Sequence, residues 1–591
     1  MIRDTFKSLL PFFVLGALYL LLAMFVTNSY YQLIMTLVLV WAVFGLSWNV
    51  LSGYTGLISF GHASFFGLGA FATVLAQVNW GVSPWIMLFV SGLIGAAAGI
   101  LIGLPTFRLR GHYFALSMLA YPMALLYVFQ WLGYPEVSVP RVSENPALYM
   151  QFADGRVYTV IAMVLLTAVV IVSRLIEKTR FGMALIAIKQ NESAAEAAGI
   201  NTLGWKLKAI AVSGAIAGMA GSFYAVVILV ITPLSVFGML VSAQALTVAM
   251  FGGAGTLWGP MIGAALLIPI AETLHAELGN VLPGIQGVVY GMAIIALITL
   301  APEGMYWKVR DWLRKRREGR TDTMPVEVHA YEPDTAAASV STKPREFGED
   351  TVLEVRDVSK HFGGLKAVQN VSFDVKRGMI LGIIGPNGAG KTTLFNVLNG
   401  FQKPTGGSVR VDGVEMTSLK PHVLCRAGVG RTFQIMRPFN RMSVHDNVKV
   451  GAYVTAKDEA EAETIARDAL HKVGLGPIAD KLAGGLSTKD LRLMELARAL
   501  AGRPHILLLD ETLAGLGSTE GKEVVSVIRG LSEEGITVVI IEHTMQAMVQ
   551  LVDRFLVLDH GEVVTEGAPE DVTRDPRVIE AYLGKKWGTN A

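Results

Sequence analysis

Residues 385–393 read Gly-Pro-Asn-Gly-Ala-Gly-Lys-Thr-Thr, a spacing suited to holding phosphates. Glycines at this spacing let backbone N–H groups close around phosphate oxygens. Lys391 is then placed to contact the β- and γ-phosphates of ATP, and Thr392 to contact magnesium (Mg2+). Gly385, Asn387, Gly388, Gly390 and Thr393 complete the candidate ATP cradle. The apolar run Met379–Ile384 reads as a buried strand and a helical pattern follows the loop, which is the setting this motif requires. Downstream, Ile506–Leu509 reads as a second buried strand ending in Asp510 and Glu511. Asp510 suits magnesium support, and Glu511 suits general-base activation of the attacking water. A third apolar run, Val538–Ile541, leads through Glu542 to His543, placed to contact the γ-phosphate. Gln434, in Arg431-Thr432-Phe433-Gln434, is placed to reach magnesium and the water, and Phe362, 29 residues before Lys391, to stack on adenine.

The elements that must position these residues belong to a divided chain. At 591 residues it exceeds one domain, which usually spans about 100–200. The 52% hydrophobic content and mean hydropathy of +0.47 average two unlike parts. Residues 1–306 are dominated by apolar runs, 307–349 read as a linker, and 350–591 have ordinary soluble composition. A net charge of +2 gives no sign of a nucleic-acid partner. The single cysteine, Cys425, excludes an intrachain disulfide, and its half is expected in a reducing compartment.

A spanning helix needs about 20 apolar residues. Candidates fall near 9–27, 31–51, 63–78, 85–104, 113–132, 157–176, 208–231, 236–252, 255–274 and 285–301. The first follows Arg3 and Lys7 without a small-residue cleavage site and reads as an anchor. Ten spans place Arg3 and Lys7, Arg108 and Arg110, Arg174 to Lys208, and Lys308 to Arg320 on the cytoplasmic side, with both termini inside. The dense glycines, as in Gly53-Tyr54-Thr55-Gly56 and Gly67-Leu68-Gly69-Ala70, permit two readings. One is close helix packing; the other is a broken helix lining a polar path. His62 is either satisfied by a neighbouring helix or in contact with substrate. The stretch 177–206 is too polar to span and too rich in alanine for a plain loop, and reads as a surface helix able to dock into a soluble partner. The linker is basic first, fit for anionic lipid headgroups, and then has a disorder-like composition that can tether the second domain.

Several segments of the first half resemble the permease subunit of branched-chain amino acid ABC importers: Gly53–Ala63, Arg108–Tyr113, Asn191–Ile200, Gly252–Pro260 and Ala301–Gly304. The resemblance makes Glu192, Glu196 and Gly199 part of a coupling helix that inserts into the ATPase. The second half resembles the ABC-type nucleotide-binding domain, and Phe362–Val368 and Val578–Gly584 are similar to ATPases of the same importer class. The implied fold is a polytopic α-helical membrane domain followed by an α/β P-loop ABC domain with a helical subdomain around 435–500.

One motif departs from the family. Leu486-Ser487-Thr488-Lys489-Asp490 stands where the signature is usually close to Leu-Ser-Gly-Gly-Gln. Ser487 is kept, but Lys489 replaces the glycine that lets a facing ATP approach a helix N-terminus. Thr512 also stands where proline usually follows the catalytic glutamate, and Gly517 occupies the position of the D-loop acid or amide.

The resemblance implies ATP-driven import of leucine, isoleucine or valine across a bacterial or archaeal cytoplasmic membrane, or of another amino acid, an amide or urea by the same class of importer. It implies a second permease subunit, a second ABC ATPase subunit and a periplasmic or extracellular solute-binding protein as partners. A half-exporter would need long helices reaching far into the cytoplasm, and the short loops here argue against it. An ATP-dependent membrane regulator without transport is the remaining rival.

Overall fold

A computed structural model describes residues 2–109, 111–142, 144–278, 282, 284–300, 304–318, 347–348, 350–542 and 545–583. The chain divides into two compact units, Met1–Lys189 with Leu203–Pro325, and Gln190–Thr202 with Val326–Ala591. Most of the expected linker, together with Arg110, His543 and Gly584, lies outside the described residues.

The first unit is a multi-pass membrane domain. Seven described helices are long and apolar enough to cross a bilayer: Ser29–Gly53, Pro84–Thr106, His112–Trp131, Arg156–Glu177, Thr202–Ile228, Pro233–Gly253 and Gly259–Leu278. The helix His62–Trp80 and the shorter apolar stretches Leu9–Phe25 and Gly287–Ala296 accompany them. Pro84–Thr106 shows how these helices are patterned. Ile86, Phe89, Leu93 and Leu101 are exposed, while Ser91, Gly92, Gly95, Gly99 and Gly103 are buried. Large side chains thus face lipid and small ones face protein, because tight backbone approach holds helices together where lipid is as apolar as leucine.

Packing accounts for many of the glycines. A Cβ at Gly95 would collide with the carbonyl of Gly214, and one at Gly69 with that of Gly218. The helices His62–Trp80 and Pro84–Thr106 therefore meet Thr202–Ile228 backbone to backbone. The Gly53 region is irregular instead. Its helix widens into a π-turn at Asn49–Gly53 and stops at Gly56, whose φ is +75°. Buried Asn49 ties this turn to the loop at Gly255–Thr256: its Nδ2 donates to Thr256 O at 3.0 Å, and its Oδ1 accepts from Gly255 N at 2.7 Å. Lys189 Nζ donates to Gly53 O at 2.8 Å.

His62 is fully buried, and both ring nitrogens are matched by serines, Ser59 Oγ at 2.9 Å and Ser213 Oγ at 2.7 Å. Ser213 in turn donates to Ser47 O at 2.6 Å. His62 is therefore satisfied by neighbouring segments.

The second unit carries two sheets. The six-stranded sheet runs Glu562–Gly567, Arg554–Asp559, Ile380–Ile384, Thr537–Ile541, Ile506–Asp510, Val429–Arg431, parallel except at the Arg554–Asp559/Glu562–Gly567 edge. Strands buried on both faces read as continuous apolar runs, as Ile506–Leu509 and Val538–Ile541 do. The four-stranded antiparallel sheet orders Leu365–Lys376, Thr351–Phe362, Gly406–Val411 and Val414–Glu415. Val355, Phe373, Val409, Leu381, Phe395 and Val539 share the core of this unit. Helices Val444–Ala452, Glu459–Lys472 and Thr488–Leu500 form a separate helical part.

Asn49→Ala would strand one buried and one half-buried backbone group, at up to about 1–3 kcal/mol each. The expected outcome is a lower thermal unfolding midpoint of the detergent-purified chain, with Asn49→Asp recovering part of the loss through its retained acceptor.

Candidate active site at the ends of the parallel strands

The site residues come together because parallel strands carry them to one edge. Ile541 pairs with Ile383 on one side and with Asp510 on the other. The chain therefore leaves the strand Ile380–Ile384 into the loop 385–390, beside the carboxylates and Glu542. Gly385, Gly388 and Gly390 have φ of +153°, +87° and +98°. A Cβ at Gly385 would strike Leu558 O, and one at Gly390 would strike Ala367 O. Lys391 opens the helix Lys391–Leu398, and its Nζ donates to Gly385 O at 2.6 Å and Pro386 O at 2.9 Å. Burial lowers the pKa of Lys391, and the nearby Glu511 carboxylate partly offsets this. Thr392 and Thr393 occupy the first helical turn, with Thr392 and Asn387 exposed.

Asp510 ends its strand almost fully buried. Its Oδ2 accepts from Arg431 Nη2 at 3.1 Å, and this pair is only 6% and 2% exposed. Its Oδ1 is buried and has no hydrogen-bond partner among the described residues. Burial raises the Asp510 pKa and Arg431 opposes the rise. A buried carboxylate oxygen left over beside a phosphate-type loop fits a divalent cation, and oxygen ligands are those magnesium prefers.

Glu511 has φ +48°, in the left-handed region that bulky residues avoid, and its N–H donates to Ile541 O at 2.9 Å. Such strain persists only where surrounding contacts fix the backbone, and it concentrates at functional sites. The turn after it is tied by Glu542, whose Oε1 accepts from Leu513 N at 2.6 Å.

The sequence reading did not assign roles to Arg431 and Glu542. Arg431 also donates to Asn396 Oδ1 at 2.9 Å and stacks against Phe401 and Phe433, 5.4 and 4.9 Å from the ring centroids. The available signal was a single arginine at the end of the short apolar strand Val429–Arg431, where burial demands a partner.

The other sequence candidates sit as follows. Gln434 is exposed, and its carbonyl accepts from Arg492 Nη2 at 3.0 Å. Phe362 ends the strand Thr351–Phe362, is 45% exposed, and lies 5.0 Å beneath Lys360 Nζ. Ser487 caps the helix Thr488–Leu500 by accepting from Asp490 N at 3.2 Å. Lys489, in its first turn, pairs with Glu523 at 2.8 Å, and that bond raises the lysine pKa.

The excursion Gln190–Thr202 groups with this unit. Its helix Glu192–Ala197 is capped by Asn191 Oδ1, which accepts from Ala194 N at 2.9 Å. Glu196 Oε1 accepts from Thr202 Oγ1 at 2.9 Å, and Gln190 Oε1 accepts from Arg441 N at 3.2 Å. Gly199 has φ +79°, and a Cβ there would press on Val454 and Cys425. Ala197, Phe401, Leu424 and Arg431 line one small cavity, so this excursion reaches the residue that holds Asp510.

Residues 30–298 match the family described as the permease component of the branched-chain amino acid transport system. Residues 368–514 match the ABC transporter family, and 562–587 the branched-chain amino acid ATP-binding cassette transporter family. BraF of Pseudomonas aeruginosa, a high-affinity branched-chain amino acid transport ATP-binding protein, is 40% identical over 250 residues, covering 40% of this chain and 98% of that protein. LivG of Escherichia coli, which carries the same description, is 38% identical over the same shares. The chain belongs to the branched-chain amino acid ABC transporter family. It joins a permease component and an ABC ATP-binding component on one polypeptide. A solved nucleotide-free ATP-binding cassette from an ABC transporter is also similar, at 31% identity and a TM-score of 0.37, covering 40% of this chain and all of that one.

Arg431→Met removes one partner of a buried ion pair, a change that costs about 3–5 kcal/mol. The transporter should lose thermal stability by that amount. Arg431→Met combined with Asp510→Asn should lose less than the sum of the single changes in a double-mutant cycle.

Proposed function

We propose that this chain imports branched-chain amino acids at the expense of ATP, supplying one permease and one ATPase to a larger complex. One observation carries the reading: a membrane domain matching the permease family and an assembled phosphate-loop and carboxylate site share one chain. We infer that the complex is completed by a second permease, a second ABC ATPase and an external solute-binding protein. The ATPase and both termini then face the cytoplasm of a bacterial or archaeal cell, and the basic helix Met305–Glu318 lies against anionic lipid. The Lys/Arg placement along the membrane half supports that orientation.

In this reading ATP is the substrate of the loop 385–393. Lys391 Nζ exchanges two neutral carbonyls for charged phosphate oxygens, which form stronger hydrogen bonds. Phe362 stacks on adenine. Asp510, Thr392 and Gln434 would hold magnesium, which supplies charge neutralisation at the phosphates when bound. Arg431 keeps Asp510 oriented while leaving Oδ1 for that task. Glu511 accepts a proton from the attacking water, and His543 and Gln434 position the γ-phosphate and the water. Glu192, Glu196 and Gly199 belong to the coupling helix that transmits the state of the ATP site.

The two ATP sites of the complex are unequal. ATP on this chain faces the partner's signature, whereas ATP on the partner faces Lys489. The lysine side chain, drawn to Glu523, fills space that glycine would leave open. A complex with an unlike second ATPase keeps one efficient site, and a homodimer of this chain would keep none.

Two outcomes test this. The reconstituted complex should show leucine-dependent ATP hydrolysis and uptake, both lost in Lys391→Ala. Hydrolysis indifferent to leucine would move the substrate to another amino acid, an amide or urea, and hydrolysis without uptake of any solute would favour a regulator. Glu511→Gln should lower the complex's hydrolysis by about 100-fold or more, the usual range for removing a general base. Near-wild-type hydrolysis in that variant would refute the single-efficient-site arrangement.

A further inference from the structure

Three buried charges in the helical part of the second unit have no task in the scheme above. Arg492, Glu495 and Arg498 recur every third residue, which puts them on one side of the helix Thr488–Leu500. They are 5%, 1% and 5% exposed. Charges so far from water persist only where opposite charges and hydrogen bonds satisfy them. Glu495 and Arg498 pair with each other at 3.3 Å. That one bond cannot occupy two guanidinium forks and a carboxylate, so the other donors and acceptors must be spent elsewhere.

They are spent on one irregular segment. Arg492 Nη1 donates to Phe433 O at 2.9 Å, and its Nη2 to Gln434 O at 3.0 Å. Glu495 Oε1 accepts from Arg437 N at 2.6 Å, and Arg498 Nη1 donates to Arg437 O at 3.0 Å. Four backbone groups from Phe433 to Arg437 are thus held by side chains of a single helix. This segment lies outside helix and strand, so its buried backbone groups depend on such partners. Its path follows the helix that grips it.

The grip extends to the carboxylate site. The Phe433 ring centroid lies 4.4 Å from the Arg437 guanidinium and 4.9 Å from that of Arg431. Arg431 in turn bonds Asp510 at 3.1 Å. Gln434 and Asp510, both assigned above to magnesium, are therefore joined to one helix by an unbroken series of contacts. Ser487 caps that same helix, and Lys489 lies in its first turn.

We propose that Arg492 is a positioning residue for ATP hydrolysis, supported by Glu495 and Arg498. Together they fix the backbone of Gln434 so that its amide reaches magnesium and the attacking water. The clamp also ties Gln434 to the helix whose first turn faces the partner's ATP, so the two do not shift independently. Arg492 touches neither nucleotide nor metal in this scheme and acts through Gln434. The proposal rests on the ATPase reading, in which Gln434 serves the metal and the water.

The test is steady-state ATP hydrolysis by the complete reconstituted complex. Wild type is compared with Arg492→Lys, Arg492→Gln, Gln434→Ala and the double change of Gln434→Ala with Arg492→Gln. Arg492→Gln gives up the two-pronged bond and should lower kcat by roughly 10- to 100-fold, the scale for misplacing a reacting group by about 1 Å. The KM for ATP should stay within about twofold, because Lys391 and Phe362 still hold the nucleotide. Arg492→Lys keeps the charge without the planar fork and should recover part of the loss. The double variant should be no slower than Gln434→Ala, since a residue acting through Gln434 has nothing to place once that amide is gone. A purely structural role predicts that the two losses multiply. Multiplying losses, or a wild-type kcat in Arg492→Gln, would overturn the proposal. Wild-type hydrolysis in Gln434→Ala would instead remove the role of Gln434, and the proposal with it. If Arg492→Gln does not give a monodisperse complex, Arg492→Lys, alone and with Gln434→Ala, decides the matter by the same comparison.

Discussion

The parallel register of three strands is the constraint on which the ATP site depends. Ile380–Ile384, Thr537–Ile541 and Ile506–Asp510 are hydrogen-bonded side by side, with Ile541 aligned to both Ile383 and Asp510. Three segments, the first more than 100 residues before the other two, thereby end at one edge. The phosphate loop, the paired carboxylates and Glu542 emerge together there. A slip of one residue would turn Asp510 to the opposite face and break its pairing with Arg431. Because these strands are mostly apolar and buried along their whole length, the register is held by packing as well as by the ladder.

The membrane unit obeys a different constraint. Without water in the bilayer core, each polar group must find its partner inside the protein. Asn49 holds the Gly255–Thr256 backbone, His62 is matched by two serines, and Thr73 links Ser91, Ser222 and the Gly69 carbonyl. Glycines bring the helices close enough for these short side chains to reach one another.

Joining a permease to an ATPase also has a physical consequence. Two components carried on one chain stay at high local concentration relative to each other, so one pairing needs no search. The excursion Gln190–Thr202 groups with the second unit. Its short helix packs with the second unit through Ala197 near Arg431, which grips Asp510.

The sequence by itself determined the division of the chain, the apolar helices and the residue types of the ATP site. Those signals are local: a run of about 20 apolar residues, glycines at fixed offsets before Lys391, an apolar strand ending in two acids. It also exposed the Lys489 departure, because a spacing can be counted along the chain. Tertiary structure alone decided what the polar groups do for one another. Whether His62 met substrate or serines depended on Ser213, 151 residues away. Arg431 gained its role from Asp510, and Glu542 from Leu513, neither of which is a sequence neighbour. The left-handed backbone at Glu511 is likewise imposed by its surroundings rather than by glutamate's own preference. Local patterns fix which groups are present, but pairing energies depend on separation and burial, which come into being only when the chain is folded.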